Sequence, residues 1–343
     1  MENKRKSSIE LLRIIAMVGI FLSHWSIHGL QLSLHLGTDY INNTIFTSLH
    51  MLGKIGVDVF VLISGYFLCS DNYKIKFKKI ILILLQVLIY SILWVCIDLI
   101  LYAVGLIQFS EIDFYRTILP LITNDYWFVV VYLFLLICSP LINLLINKIT
   151  KKQHSLINLI LLLILTISTF FNGFLYDRYI LFIFLYLVSG YFRKYGINEL
   201  LNRKKAIMAL ILSLLVGIGS IPLSIYFGIN QFKFIEQNSF IIFLIALSLF
   251  LIFIQIKLDS KIINSLSKTM FGIYLFHDGA FRNILWRVLG TSQYTIHSNA
   301  GILLLNLLFA TIIVFGLGIP FEYLRINTIE KSANKLLKKA KIN

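Results

Sequence analysis

Long apolar stretches recur along this chain from one end to the other, separated mostly by short polar segments. A helix needs roughly 20 consecutive, mostly apolar residues to cross the hydrocarbon core of a bilayer. Charged residues make up only 14% of the chain, whereas soluble domains carry about a quarter. The sequence therefore predicts an all-α fold, a polytopic transmembrane helical bundle.

About ten spans are predicted, and they form a single integral-membrane domain over residues 1–343. This domain includes short basic tails at 1–8 and 326–343, which are predicted to be cytoplasmic. The first span contains Arg13 and His24 and lacks a small-residue cleavage site, so it is not expected to be a signal peptide. The predicted spans are 9–30, 45–69, 77–104, 126–147, 155–172, 178–195, 204–227, 239–256, 265–289 and 300–322.

The Lys and Arg residues are distributed unevenly between the two sides of the predicted bundle. The side that holds the N-terminus receives 24 of the 31 basic residues. Cytoplasmic loops carry the excess of Lys and Arg, so both termini are predicted to be cytoplasmic. The net charge of +15 is interpreted as an orientation signal and an attraction to anionic membrane lipid, with no nucleic-acid partner expected.

The first span places an arginine and a histidine eleven residues apart, in "RIIAMVGIFLSH". At about 100° per residue, Arg13 and His24 project from the same helix face, about 16 Å apart along the axis. Ionisable groups at such depth are costly and by default face the bundle interior or a water-filled cavity. Alternatively, Arg13 extends to the lipid headgroups and His24 makes one interhelical hydrogen bond.

Two further spans bring ionisable groups to a similar predicted depth. Asp58 lies near the middle of the second span and is expected at the level of His24 if the two helices are neighbours. His277 of the ninth span lies about as far from the cytoplasm as His24, with Asp278 next to it and Arg282 closer to the outer face. A histidine is suited to general base work because its pKa lies near the operating pH. Together these ionisable residues predict a reaction site. The alternative is a polar network that only fixes how the helices align.

Five segments occur in order along the chain: "LLRIIAMVGIFLSH", "GVDVFVLISGYFL", "YWFVVVYLFLLICSPLI", "SKTMFGIYLFH" and the terminal "PFEYLR". Together they resemble acyltransferase family 3, the multi-spanning O-acyltransferases of bacterial surface polysaccharides. The first segment matches the Arg-x10-His pattern of that family at Arg13 and His24. The segment after the second span, "KIKFKKIILILLQ", departs from it, because many members place arginines and a proline there.

The resemblance implies an acyl-CoA donor, most often acetyl-CoA, and an acceptor hydroxyl on a cell-surface or exported polysaccharide or its precursor. Catalytic roles then fall to His24, His277 and Asp58. Donor-binding roles fall to Arg13, Lys74, Lys76, Lys78, Lys79 and Ser64, and acceptor-binding roles to Arg282, Trp127 and Tyr126. His24 either takes the proton of the acceptor hydroxyl or accepts the acyl group itself. The implied location is the bacterial plasma membrane, and no metal is expected.

A membrane transporter or flippase for a glycan or a lipid-linked intermediate is the rival hypothesis, since it too would have about ten spans and buried charge. Transporters often contain internal repeats. The segments "LISGYFLC" at 62–69 and "LVSGYFRK" at 187–194 are alike, but the similarity extends no further. The acceptor glycan, the acyl group and the oligomeric state are left open by the sequence.

Overall fold

The computed structural model describes residues 6–31, 40–70, 73–108, 111–171, 177–197, 202–279, 281–295 and 297–342. These residues form helices joined by turns, and this part of the chain contains no β-strand. The all-α prediction is therefore confirmed. By length and composition, eight helical stretches within these ranges are able to cross a membrane, as a polytopic bundle requires; one of them, Lys233–Ile254, includes non-helical residues.

Most predicted spans coincide with a helix to within a few residues, because each apolar run is long and ends at polar residues. The helices are α1 (Ser7–His24), α2 (Tyr40–Leu68), α3 (Phe77–Ala103), α4 (Glu111–Ile118), α5 (Trp127–Lys148), α6 (Lys151–Phe170), α7 (Arg178–Tyr195), α8 (Arg203–Tyr226), α9 (Phe240–Ile254), α10 (Lys261–Leu266), α11 (Met270–His277), α12 (Arg282–Val288), α13 (Ala300–Arg325) and α14 (Lys331–Lys339).

The ninth predicted span, 265–289, is not one helix, so that prediction is wrong. The chain forms α10, a short 3-10 turn, α11 and α12 instead. Helix α11 ends at His277 because Asp278 is extended (φ −119°, ψ 177°) and Gly279 has a φ of +101°. That left-handed conformation suits glycine and breaks the helix within the apolar run.

The chain divides into two compact units. The first comprises Met1–Lys74, Cys138–Lys268 and Thr295–His297, and the second comprises Ile75–Ile137, Thr269–Tyr294 and Ser298–Asn343. Helix α2 is central to the first unit, where it packs on α1, α7, α8 and α9. In the second unit α11 packs on α3 and α13.

Helices α1 and α2 run antiparallel in the first unit, and small residues fix their register. A Cβ atom added at Gly56 would lie 2.6 Å from the carbonyl oxygen of Ala16, and one at Gly53 would collide with Ser23. Small residues let helix backbones approach closely inside a membrane, where no hydrophobic driving force brings helices together. The paired levels are therefore Ala16 with Gly56 and Ser23 with Gly53.

The two similar segments "LISGYFLC" and "LVSGYFRK" pack against each other. A Cβ atom added at Gly65 of α2 would lie 2.8 Å from the Cα atom of Tyr186 in α7, and Gly190 of α7 faces Cys69. Each segment supplies a glycine at the crossing of α2 and α7. The likeness therefore reflects the small side chains that a close helix contact needs.

Between α8 and α9 the chain runs along α2 before the next helix begins. We call residues Phe227–Ser239 the descending segment, because its contacts move steadily along α2. Gln231 donates to Thr47 (2.7 Å), Phe232 packs on the His50 ring (5.5 Å between centroids), and Gln237 donates to Asp58 (2.6 Å).

Thr47 and Asp58 are eleven residues apart, which is about 16 Å along a helix. The descending segment follows α2 over this length, and its only helical part among these residues is the 3-10 turn Lys233–Ile235. Helix α9 begins only after that descent and has 15 residues. Non-helical backbone at membrane depth is tolerated only where protein buries it or where it lines a water-filled cavity.

The second unit contains a buried ion pair that joins three helices. Glu322 of α13 is fully buried and accepts hydrogen bonds from Gln86 (3.1 Å) and Tyr90 (2.8 Å) of α3 and from Arg325 (2.9 Å). Gly272 of α11 lies against the Glu322 carboxyl group, with no room for a Cβ atom. The glutamate therefore fixes α13 to α3 and to the helix that carries His277.

Candidate active site

His24 is the last residue of α1, and the chain then forms a π-helical turn, Trp25–Gly29. Such π-turns occur frequently at functional sites. The turn brings His28 beside His24, with 5.3 Å between the ring centroids. His24 is half-buried at the end of α1 opposite to Ser7.

The neighbour of His24, Ser23, connects α1 to a third histidine. The hydroxyl of Ser23 lies 2.8 Å from Nδ1 of His50 on α2. Neither His50 nor His28 was predicted to be a site residue. The spacing of His50, Lys54 and Asp58 on one face of α2 was the signal that could have identified His50.

Asp58 does not lie at the level of His24, so that expectation is wrong. Ser23 contacts both His50 and Gly53, and Asp58 is five to eight residues further along α2, about 8–12 Å deeper. The sequence correctly places Asp58 within the span, but it does not show how far α1 is shifted along α2. Small residues at positions 16, 53 and 56 set that shift.

Asp58 is fully buried and belongs to a polar group of its own. The side-chain amide of Gln237 donates to Oδ1 of Asp58 (2.6 Å) and to the backbone carbonyl of Lys54 (3.0 Å). The ammonium group of Lys54 interacts electrostatically with Glu236, Arg178 and Asp58. This arrangement holds a carboxylate deep in the first unit, although not beside the His24 ring.

Arg13 lies near the Ser7 end of α1 and is paired with an acid. Its Nη1 atom donates to both carboxylate oxygens of Glu10 at 2.9 Å, and its guanidinium lies 6.0 Å from the centre of the Phe67 ring. Glu10 is buried and also accepts from Ser267 (2.6 Å). Arg13 is therefore held in place while about a quarter of its side chain (26%) stays exposed.

Arg193, like Arg13, places its guanidinium group beside an aromatic ring of α2, and the sequence did not identify it as a candidate site residue. It lies 5.2 Å from the centre of the Tyr66 ring, next to Phe67 in the sequence. At the Ser7 end there is also a cavity of about 660 Å³, whose lining includes Lys6, Lys257 and Asp259. This end of the unit is rich in cations, as an anionic ligand would require.

Of the predicted donor-binding lysines, Lys79 has the most defined environment. Its Nζ atom donates to the hydroxyl of Tyr132 (2.6 Å) in the second unit. Partial burial, together with the charge of Lys79, lowers the pKa of Lys76. Lys74 is exposed and Lys78 is half-buried. Ser64 is half-buried on α2, next to the glycine that contacts α7.

His277 is completely buried at the end of α11 in the second unit. Its Nδ1 atom lies 2.6 Å from the backbone carbonyl of Ile273. Because a carbonyl oxygen only accepts hydrogen bonds, Nδ1 carries the proton, and Nε2 is the basic nitrogen of the neutral ring. Asp278, the next residue, accepts from Arg282 (3.3 Å).

Tyr126 contacts the chain on both sides of the helix break at Asp278. It is buried, and its hydroxyl donates to the backbone carbonyl of Leu275 (2.8 Å). Gly279 packs directly on the Tyr126 ring, where a Cβ atom would lie 2.8 Å away. Trp127 is half-buried at the start of α5. The structure thus places Tyr126 in contact with the backbone that follows His277, and Arg282 in contact with Asp278.

A helical bundle with several membrane-spanning helices and buried histidines defines a polytopic membrane protein with a candidate reaction site. The family model for acyltransferase family 3, described as an acyltransferase domain, matches residues 6–323. The chain therefore belongs to this family, and the protein is a membrane acyltransferase. No curated protein and no solved structure matches the chain significantly.

Proposed function

We propose that this protein transfers an acyl group, most often acetyl, from acyl-CoA to a hydroxyl of a cell-surface or exported polysaccharide or its precursor, in the bacterial plasma membrane. The family match over nearly the whole chain is the observation that carries this proposal. The buried histidines and the cations at the Ser7 end of the first unit support it. The transporter hypothesis has no comparable support, because the matched family consists of acyltransferases.

The proposed chemistry begins at His24, which removes the proton of the acceptor hydroxyl. The hydroxyl oxygen attacks the thioester carbonyl, the new C–O bond forms, and the C–S bond breaks. The coenzyme A thiolate leaves and takes up the proton. His277, with Nε2 as its basic nitrogen, is proposed as a second group that handles protons or stabilises charge during transfer. An acyl-His24 intermediate is the alternative route, in which the acyl group passes to the imidazole first.

The donor is proposed to enter from the Ser7 end of the first unit, which the charge distribution predicts to be cytoplasmic. Coenzyme A carries several phosphates, and Arg13, Arg193 and the lysines that follow α2 are suited to them. An arginine makes two parallel hydrogen bonds to a phosphate, whereas a lysine acts as a point charge.

Replacing Arg13 by alanine is expected to weaken acetyl-CoA binding. Loss of a charge-assisted hydrogen bond costs about 1.5–3 kcal/mol, which corresponds to a roughly ten- to hundredfold higher Kd. Arg13→Lys should restore only part of the affinity. Isothermal titration of the protein in lipid nanodiscs with acetyl-CoA measures both variants, and an unchanged Kd in both would make Arg13 a structural partner of Glu10 alone.

Donor and acceptor are expected to reach the enzyme from opposite faces of the membrane. Sealed vesicles of known orientation test this when acetyl-CoA is supplied only at the cytoplasmic face and an impermeant glycan only at the other. Acylated glycan should form under this condition. Product that appears only with both substrates at the cytoplasmic face would contradict the two-sided arrangement and place the acceptor inside the cell.

A further inference from the structure

Between Thr47 and Asp58, helix α2 carries four polar residues on one face. At about 100° per residue, Thr47, His50, Lys54 and Asp58 fall within an arc of about 80°. We call this face the polar stripe of α2. The descending segment covers it, and Gln231, Phe232 and Gln237 contact successive levels of the stripe. Helix and segment together therefore enclose a row of polar groups that runs into the bundle from the end opposite to Ser7.

The deepest part of this row has hydrogen-bonding capacity that the protein does not use. Oδ2 of Asp58 is buried and has no hydrogen-bond partner within the described residues, while Oδ1 accepts from Gln237. A buried carboxylate oxygen that is left unpaired is costly, and such groups in native proteins require an explanation. The Lys54 ammonium group interacts electrostatically with Asp58 and so lies on the same polar row.

Acidic and basic side chains are equally represented around this position. Lys54 and Arg178 are basic, Glu236 and Asp58 are acidic, and Lys54 interacts electrostatically with the other three. A site for an anionic polymer would show an excess of positive charge. Balanced charges, together with amide groups, instead suit a ligand whose hydroxyls both donate and accept hydrogen bonds.

We propose that the polar stripe and the descending segment bind the acyl acceptor, and that the acceptor is an uncharged, polyhydroxylated glycan chain. This inference rests on the proposed function and assigns the acceptor to residues other than Tyr126, Trp127 and Arg282. One acceptor hydroxyl donates to Oδ2 of Asp58 and accepts from Nζ of Lys54. Others bind the amides of Gln231 and Gln237.

The position of His50 connects this site to the proposed base. His50 belongs to the polar stripe, and its Nδ1 lies 2.8 Å from the hydroxyl of Ser23, the residue before His24. A chain bound along the stripe therefore passes the level of His24 on its way to Asp58. Only one hydroxyl of the bound glycan needs to lie at the level of His24. The contacts nearer to Asp58 hold the glycan in that position.

A kinetic experiment tests the assignment with the full-length protein in nanodiscs. Surface glycan from cells that express the protein is freed of O-acyl groups by mild alkali and separated into neutral and anionic fractions. With radiolabelled acetyl-CoA, the neutral fraction should become labelled. Asp58→Asn should raise the KM for that fraction roughly ten- to hundredfold, while the KM for acetyl-CoA changes less than about twofold.

Asn238→Ala is the matched control. Asn238 belongs to the same descending segment, but its amide donates to Leu165 and Ser168 of α6 rather than to the stripe. It should leave the KM for the glycan unchanged. An equal rise in both variants, or labelling of the anionic fraction alone, would overturn the inference. Labelling of neither fraction would contradict the proposed function itself.

Thiol labelling tests the same site without any acyl transfer. The three cysteines are replaced by alanine, and single cysteines are introduced at Lys54 or at Val59, a buried apolar position of α2. A membrane-impermeant methanethiosulfonate should modify Lys54→Cys at least tenfold faster than Val59→Cys, and the neutral glycan fraction should slow the reaction. Equal, slow labelling of both would mean that the row is closed to water and would refute the inference.

Discussion

Replacing His24 by alanine is expected to reduce acyl transfer by roughly 10²- to 10⁴-fold, the usual contribution of a positioned general base. The expected loss is in kcat, because the imidazole acts on the proton that moves in the transition state. The fold should persist, since alanine leaves no unpaired charge in α1 and the Ala16 and Ser23 contacts with α2 remain. Transfer of radiolabelled acetyl groups and size-exclusion profiles measure the two properties.

His28→Ala is the matched control for this experiment. The two rings lie 5.3 Å apart, so either substitution removes an imidazole from the same turn of chain. His28→Ala should reduce transfer less than about tenfold. Equal losses in the two variants would indicate that the histidine pair only shapes the π-turn. Near wild-type transfer by His24→Ala would exclude it as base and as acyl carrier.

Replacing Glu322 by alanine is expected to give the largest loss of stability. Removing one partner of a buried ion pair typically costs about 3–5 kcal/mol, because the other charge stays behind. Here Gln86 and Tyr90 also lose their acceptor. Unfolding in detergent, followed by tryptophan fluorescence, should begin at a clearly lower temperature than in the wild type.

Glu330 provides the control for this prediction. It also pairs with Arg325 (2.9 Å), yet its side chain is 29% exposed, whereas that of Glu322 is inaccessible. Glu330→Ala should cost about 1 kcal/mol or less, because Glu330 is partly exposed and Arg325 keeps its pair with the buried Glu322. Similar losses in both variants would show that the charge of Arg325, rather than the burial of Glu322, determines the effect.

The helices are largely predictable from the sequence because the membrane requires long apolar runs. Helix α3 shows this clearly: the predicted span 77–104 coincides with Phe77–Ala103. The break after His277 was missed because its turn signal, Asp278 followed by Gly279, is short and lies between apolar residues in "IYLFHDGAF". The extended Asp278 and the left-handed Gly279 end the helix there.

The residue types of the candidate site were predictable from the sequence, but the relative depth of these residues in the bundle was not. His24 and Asp58 are ionisable groups within apolar runs, which hydropathy alone identifies. Their relative depth depends on how far α1 slides along α2, and contacts such as Ala16 with Gly56 set this. The descending segment was missed for a related reason, since its side chains match α2 only once both have folded.

The short helix α9 changes the surroundings of polar groups along α2. Fifteen helical residues extend about 22 Å, whereas a bilayer core is about 30 Å thick. Along α2 the descending segment supplies the amide groups of Gln231 and Gln237 in place of an apolar helix face. A charge costs less free energy beside such polar groups than in a uniform hydrocarbon layer.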